Sequence, residues 1–357
     1  MKLKRIWKIF IGLILLLVII IFSILGFYNY NLQSVDKSDD TSVVFTITPG
    51  TSTKQIAKNL MDASLIRNDK VLLVYLKLNN ISNMQASTYK LRRNMSLEEI
   101  VEVINKGKGY NPDEISITFK EGENIRNIAK VISENTENSY EDVLNKVNDN
   151  KYLDSLIEQY WFLDKNIKSN KLYYSLEGFL APDTYIFENK NVKVEEIFSK
   201  MLDETDKVLT KYKKEIEKSD LSIYEILTLA SIVEKEGKTK DFNNIASVFI
   251  NRLDKNMELG SCATAYYGVK KDFNEVGIAT TDMINNKNNY NTYIIKGLSV
   301  GPIASISEEA LLSVINPIST NYLYFLSDNE GNTYFFKTYM EHQKKQAELK
   351  SLGKWAR

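Results

Sequence analysis

An uncharged run of 19 residues, Ile9 to Phe27, constrains this chain before any other feature does. Wound as a helix at ~1.5 Å per residue, it nearly matches the ~30 Å hydrocarbon core of a bilayer. Lys2, Lys4, Arg5 and Lys8 precede or open the run, and Trp7, Tyr28 and Tyr30 flank it as interfacial side chains. The basic flank predicts a cytoplasmic tail over residues 1–8 and a transmembrane helix over 9–28, with everything later on the outer face. A cleaved leader is the competing reading. Against it, the run is long, and no small-x-small site follows before the polar stretch NYNLQSVDKSDD. Residues 29–42 read as a short linker.

The 357 residues are enough for two or three compact units. Lys+Arg and Asp+Glu both number 46, so there is no net charge to draw the chain to nucleic acid. Cys262 is the single cysteine and His342 the single histidine. An intramolecular disulfide, a cysteine-built zinc site and a metal centre with several His ligands are thereby excluded. No Gly-x-Ser-x-Gly element surrounds any serine. If the chain is an enzyme, carboxylates are left to carry the chemistry, with no metal and no cofactor.

The exterior part repeats itself. VVFTITPGTSTKQIAKNL (43–60) matches ISITFKEGENIRNIAKVI (115–132), and STYKLRRNMSLEEIVEVI (87–104) matches DTYIFENKNVKVEEIFSKML (183–202). Each copy reads as strand, Gly-centred turn, helix, helix, strand, helix, with Gly50 and Gly122 at the turns. DKVLLVYLKL supplies the middle helix of the first copy, and SYEDVLNKVN that of the second, ahead of an insertion over 150–176. Strand-helix-helix-strand with such a turn resembles the LysM module, which implies either binding of N-acetylglucosamine polymers or a spacer. The predicted fold class is α+β: an N-terminal transmembrane helix, a LysM-like unit over 43–110, a second with an insertion over 111–203, and a mixed α/β catalytic domain over 204–357.

The stretch LSIYEILTLASIVEKEGKTKDFNNIASVFINRL (221–253) is the richest in chemistry. Ser222 and Glu225 have capping-box spacing, so a helix starts there. At ~100° per residue, Glu234 falls within ~40° of Ile223, Leu227 and Ala230, on the apolar face, whereas Glu236 lies ~200° away and is predicted to face water. A carboxylate on the apolar side is expensive to keep ionised, which suits a general acid for a glycosidic oxygen. The competing reading has the helix ended by Glu234, since Gly237 follows closely, and gives Glu234 no such role. A second helix is predicted over Phe242 to Leu253, and Asn251 and Arg252 at its end are placed to reach a polar site. NNYNTYIIKGLSVGPIASIS (288–307) offers hydrogen-bonding groups and aromatic faces suited to sugars. NYLYFLSDNEGNTYFF (321–336) reads as a hairpin turning near Asn329 to Asn332, and KTYMEHQKKQAEL (337–349) as a closing helix.

The motifs EGFLAPDTY (177–185), LASIVEKE (229–236), SVFINRL (247–253), YNTYIIKGLSVGPIA (290–304) and TYMEH (338–342) together resemble the endolytic murein transglycosylase family MltG, also called YceG-like, over nearly the whole length. The resemblance implies a lyase that cleaves the bond between N-acetylmuramic acid and N-acetylglucosamine within a glycan strand, leaving a 1,6-anhydro-muramic end. It assigns the essential glutamate to Glu234, the first Glu of the EKE triplet. It implies substrate contacts at Asn251, Arg252, Tyr290, Asn291, Thr292 and Tyr293. It also implies peptidoglycan as substrate, cell-wall synthases as partners, and a single-pass location in a bacterial cell membrane with the catalytic domain outside. Residues 260–265 read GSCATA where the family often has QSDPTV, so Cys262 and Ala263 stand in for Asp and Pro. Two alternatives are a non-catalytic glycan-binding protein and a hydrolytic muramidase. The latter needs a second carboxylate, for which Asp272, Glu275 and Asp282 are the candidates.

Overall fold

The computed structural model describes residues 2–107, 109–277 and 279–355. The chain divides into two compact units, residues 1–113 and 114–357. Helix α1 (Lys2–Leu32) opens the first unit. Its stretch Phe10–Leu32 is, among the described residues, the one helix apolar and long enough to cross a membrane, and none of its most apolar window is buried within the protein. The helix runs four residues past Tyr28, into the stretch expected as linker. There Arg67 grips the chain: its guanidinium donates to the Tyr30 hydroxyl at 2.6 Å and to the carbonyls of Ser34 and Val35 at 2.7 and 3.0 Å.

The first unit continues as β1 (Ser42–Thr46), α2 (Thr53–Asp62), α3 (Asp69–Leu78), β2 (Thr88–Arg92) and α4 (Leu97–Lys106). The strands pair antiparallel, with Thr46 opposite Thr88. Between them the chain turns at Gly50, whose φ of +84° is strained for residues with a Cβ. Ser52 caps α2, Asn68 caps α3, and a Ser96–Glu99 capping box starts α4. Ile56, Leu60, Leu72, Tyr89, Leu91 and Ile100 form a core with 2% exposure or less.

The second unit opens on the same plan. It comprises β3 (Ile115–Thr118), α5 (Ile125–Asn135), α6 (Tyr140–Val147), the added α7 (Asn150–Gln159), β4 (Thr184–Phe187) and α8 (Val194–Lys211). Gly122 has φ +70°, and Thr118 lies opposite Thr184. The paired hydroxyls reproduce the first copy, at 2.8 Å here against 3.0 Å for Thr46 and Thr88. The two repeats differ in how they bury their apolar sides. The first closes a core of its own, while the core of the second runs without a break from Ile117 to Ile315.

The remainder of the second unit is α9 (Lys213–Ile216), α10 (Ile223–Glu236), α11 (Phe242–Asp254), α12 (Cys262–Gly268), α13 (Phe273–Val276), α14 (Thr281–Ile284), α15 (Glu308–Ile315), the hairpin β5 (Tyr324–Ser327) with β6 (Thr333–Phe336), and α16 (Tyr339–Ser351). α10 is the central helix. Every residue from Ile226 to Val233 is buried, and α11, α12 and α15 pack around it. Its N-terminus is closed by the expected Ser222–Glu225 box. Each fully buried Leu or Ile on such a helix contributes ~1.5–3 kcal/mol by leaving water.

Separate cores give a direct test. Leu60→Ala removes a side chain with no exposure from the first unit and should cost ~2–5 kcal/mol there. Hydrogen exchange read by mass spectrometry should speed up across residues 43–107 and stay unchanged beyond 114. Equal loss in both units would contradict the division.

Candidate active site

A cavity of about 1120 Å³ opens in the second unit where α10 ends. It lies above the ~300–1,000 Å³ usual for small-molecule sites, as suits a polymer segment. Glu236, the last residue of α10, lines it together with Arg252, Cys262, Tyr293, Tyr324 and His342. The helical wheel predicts Glu236 in water; the structure places it on the cavity wall instead. The reason is that α10 is enclosed on all sides from Ile226 to Val233, so angular position around that length does not distinguish core from solvent. What counts is which residue stands at its open end.

Glu236 is held by the segment that follows α11. The Ser261 hydroxyl donates a hydrogen bond to Glu236 Oε1, and the Ala263 amide donates to the same oxygen at 3.3 Å. Ser261 is braced in turn: its amide donates to Thr292 Oγ1 at 3.0 Å, and Thr292 Oγ1 pairs with Thr264 Oγ1 at 2.8 Å. Burial pushes the Glu236 carboxyl above its usual range, while Ser261, the Ala263 and Cys262 amides and the Arg252 charge draw it back. The result is an acid able to hold a proton and still stabilised when it gives the proton up.

Glu234 is not among the residues lining this cavity. Its Oε2 accepts from the amide and hydroxyl of Ser307, the N-cap of α15, at 2.9 and 2.6 Å. Its carboxylate neighbour is Glu121, whose pKa rises through burial and then through Glu234 and Glu309. Glu234 thus ties α10 to α15.

The expected substrate-contact residues separate into two groups. Arg252 and Tyr293 line the cavity. Arg252 donates to the Leu323 and Leu259 carbonyls at 2.6 and 2.7 Å, and burial lowers its pKa. The Tyr293 hydroxyl lies 3.2 Å from Cys262 Sγ. The others work inside the fold. Asn251 ties α11 to the Thr320 and Tyr322 carbonyls. Asn291 is fully buried and donates to the Met283, Ile284 and Asn286 carbonyls. The buried Tyr290 packs tilted against Tyr173 and edge-on to Tyr267, and Thr292 braces Ser261.

Of the candidate second carboxylates, Asp272 lines the cavity but is committed to Arg126 at 3.1 Å and to Asn124 at 2.7 Å. Glu275 pairs with Lys271, and Asp282 is exposed. Three features escaped the sequence reading: the aim of Glu236, the part of Ser261, and a buried acid, Glu177, inside EGFLAPDTY. Only the last had a local signal, an acidic residue opening an apolar run. Glu177 accepts the Ile125 amide at the start of α5 at 3.1 Å and the Tyr267 hydroxyl at 2.7 Å.

Residues 45–348 match the sequence model of the YceG-like family. The chain belongs to that family. A Bacillus subtilis protein named endolytic murein transglycosylase is 34% identical to this YceG-like chain over 316 residues, 88% of this chain and 86% of that protein. A Streptococcus pneumoniae protein of the same name is 31% identical over 338 residues, and the match spans 90% of this chain but 61% of that longer relative. A crystal structure described as a yceG-like protein from Listeria monocytogenes superposes with a TM-score of 0.62 at 31% identity, covering 86% of this chain and 99% of the other. The chain thus shares its fold with the Listeria protein.

Burial raises Glu177 from 4.5 to about 7. The folded state then binds more protons than the unfolded one between those values. Stability should fall as pH rises from about 4.5 to 7 and level off above, by about 3 kcal/mol over the window. Urea denaturation across that range should show the decline in the parent and a much flatter profile in Glu177→Gln.

Proposed function

We propose that this chain is an endolytic peptidoglycan lytic transglycosylase, held to the outer face of a cytoplasmic membrane by α1, and that Glu236 is its acid and base. The observation that carries the reading is the position of Glu236: a burial-raised carboxyl on the wall of the large cavity, with donors fixed on one oxygen. The relatives named endolytic murein transglycosylase supply the substrate class. The substrate is a nascent glycan strand, as made by cell-wall synthases, and cleavage ends its growth.

In the first half-reaction the Glu236 proton passes to the glycosidic oxygen between N-acetylmuramic acid and N-acetylglucosamine, and the bond from that oxygen to the muramic anomeric carbon breaks. In the second, the carboxylate takes the proton from the 6-hydroxyl of the same muramic residue, whose oxygen bonds to the anomeric carbon. The products are a 1,6-anhydro-muramic end and a free N-acetylglucosamine end, with no water consumed and the acid regenerated. A hydrolase would need a second carboxylate to direct water. Asp272, the candidate on the cavity wall, is occupied by Arg126 and Asn124, which favours the internal nucleophile.

The full chain in detergent, given uncrosslinked glycan strands, should release internal fragments one water lighter than hydrolysed ones by mass spectrometry. Glu236→Gln should slow their release ~10²–10⁴-fold, while Glu234→Gln keeps most activity. Loss in Glu234→Gln alone would move the acid to Glu234. Strands bound but intact with every protein would leave a binding protein, and hydrolysed ends a muramidase. Ser261→Ala supplies a pH test. Removing a donor to the ionised acid should raise its pKa, so the alkaline limb of kcat/KM should move to higher pH.

A further inference from the structure

One wall of the cavity is built from aromatic rings that the core does not use. α16 is polar nearly all round, and Leu349 is its one buried residue. It nevertheless directs Tyr339, His342 and Gln346, spaced three and four residues apart on one face, toward the cavity. Tyr339 is 56% exposed. Its ring stacks on His342 at 5.9 Å with 17° between planes and lies 5.6 Å from Tyr324. The Arg252 guanidinium covers the other end of the row, 5.1 Å from the Tyr324 ring, and it is also the cation that acts on Glu236. The platform thus runs from the neighbourhood of the acid out to solvent.

Packing alone does not account for this arrangement. An exposed Tyr339 contributes little to folding. His342 Nδ1 is buried with no hydrogen-bond partner, which stabilises nothing in the free protein. Burial and then the Arg252 charge hold His342 below its ordinary range, against a backbone hydrogen bond with Phe325, and its ring presents an aromatic face to Tyr339. Flat rings of this kind match the apolar C–H face of a pyranose, while Gln346 supplies amide groups for its hydroxyl or acetamido substituents.

We propose that Tyr339, His342 and Tyr324 form a stacking subsite for an N-acetylhexosamine ring of the glycan, one end of the strand resting there while the bond to be cut lies at Glu236. The identity of the sugar and the placement of the bond rest on the function proposed above; the aromatic platform itself does not.

The test uses the full chain in detergent carrying Glu236→Gln, with the N-acetylglucosamine tetramer as probe and calorimetry as the readout. Tyr339→Ala should weaken binding ~3- to 10-fold, and Tyr339→Phe should retain it. In the cleaving parent, Tyr339→Ala should raise KM for uncrosslinked strands with kcat little changed. Tetramer bound equally by the Ala variant, or by neither protein, overturns the subsite. A Glu236→Gln protein that still cuts strands overturns the acid assignment alone, because the tetramer comparison stands whether or not cleavage occurs.

Discussion

The hydrogen bond from Ser261 to Glu236 is where the architecture of the second unit converges. It exists because α10 is enclosed by α11, α12 and α15 and delivers a carboxylate to the rim of a cavity. It persists because Ser261 is itself fixed by Thr292 and Thr264 from behind. The conspicuous polar chemistry in the 288–307 loop goes partly to this bracing: Thr292 has no exposure and holds Ser261, while the equally buried Asn291 ties the loop to the carbonyls of Met283, Ile284 and Asn286.

Sequence periodicity gave the secondary structure well where one face of an element meets water. The two repeats, the capping boxes of α4 and α10, the β5–β6 hairpin and the closing helix all have such faces, and their patterns are the ones read. α10 has no wet face along its buried length, and there the wheel sends Glu236 to solvent while the fold sends it to the cavity. The site depends on contacts between distant segments: Ser261 is 25 residues from Glu236, and Tyr324 lies 72 beyond Arg252. No local pattern encodes such pairs. Arg252 and Tyr293 were legible as polar or aromatic residues near motif ends, but nothing in the sequence separated them from their inward-facing neighbours Asn251 and Asn291.

The two copies of the repeat show one pattern used in two ways. Both keep the left-handed glycine and the paired threonine hydroxyls across the strands. In the first, the helices and strands cover one another. In the second, the same surfaces continue into α10, and Glu177 joins the start of α5 to Tyr267 on α12. A repeat that completes its own core is a self-contained unit; one that shares its core becomes part of the wall behind a site.

Arg67 has a mechanical effect on the first unit. By holding Tyr30, Ser34 and Val35 together, it turns the junction after α1 from a tether into a bracket. A tether lets a domain sample a hemisphere whose radius grows with its length. A bracket sets one stand-off and one azimuth, so the first unit carries the orientation of the helix below it. The attitude of the first unit to α1 is then set by side-chain geometry at residue 67 rather than by the length of the chain between helix and strand.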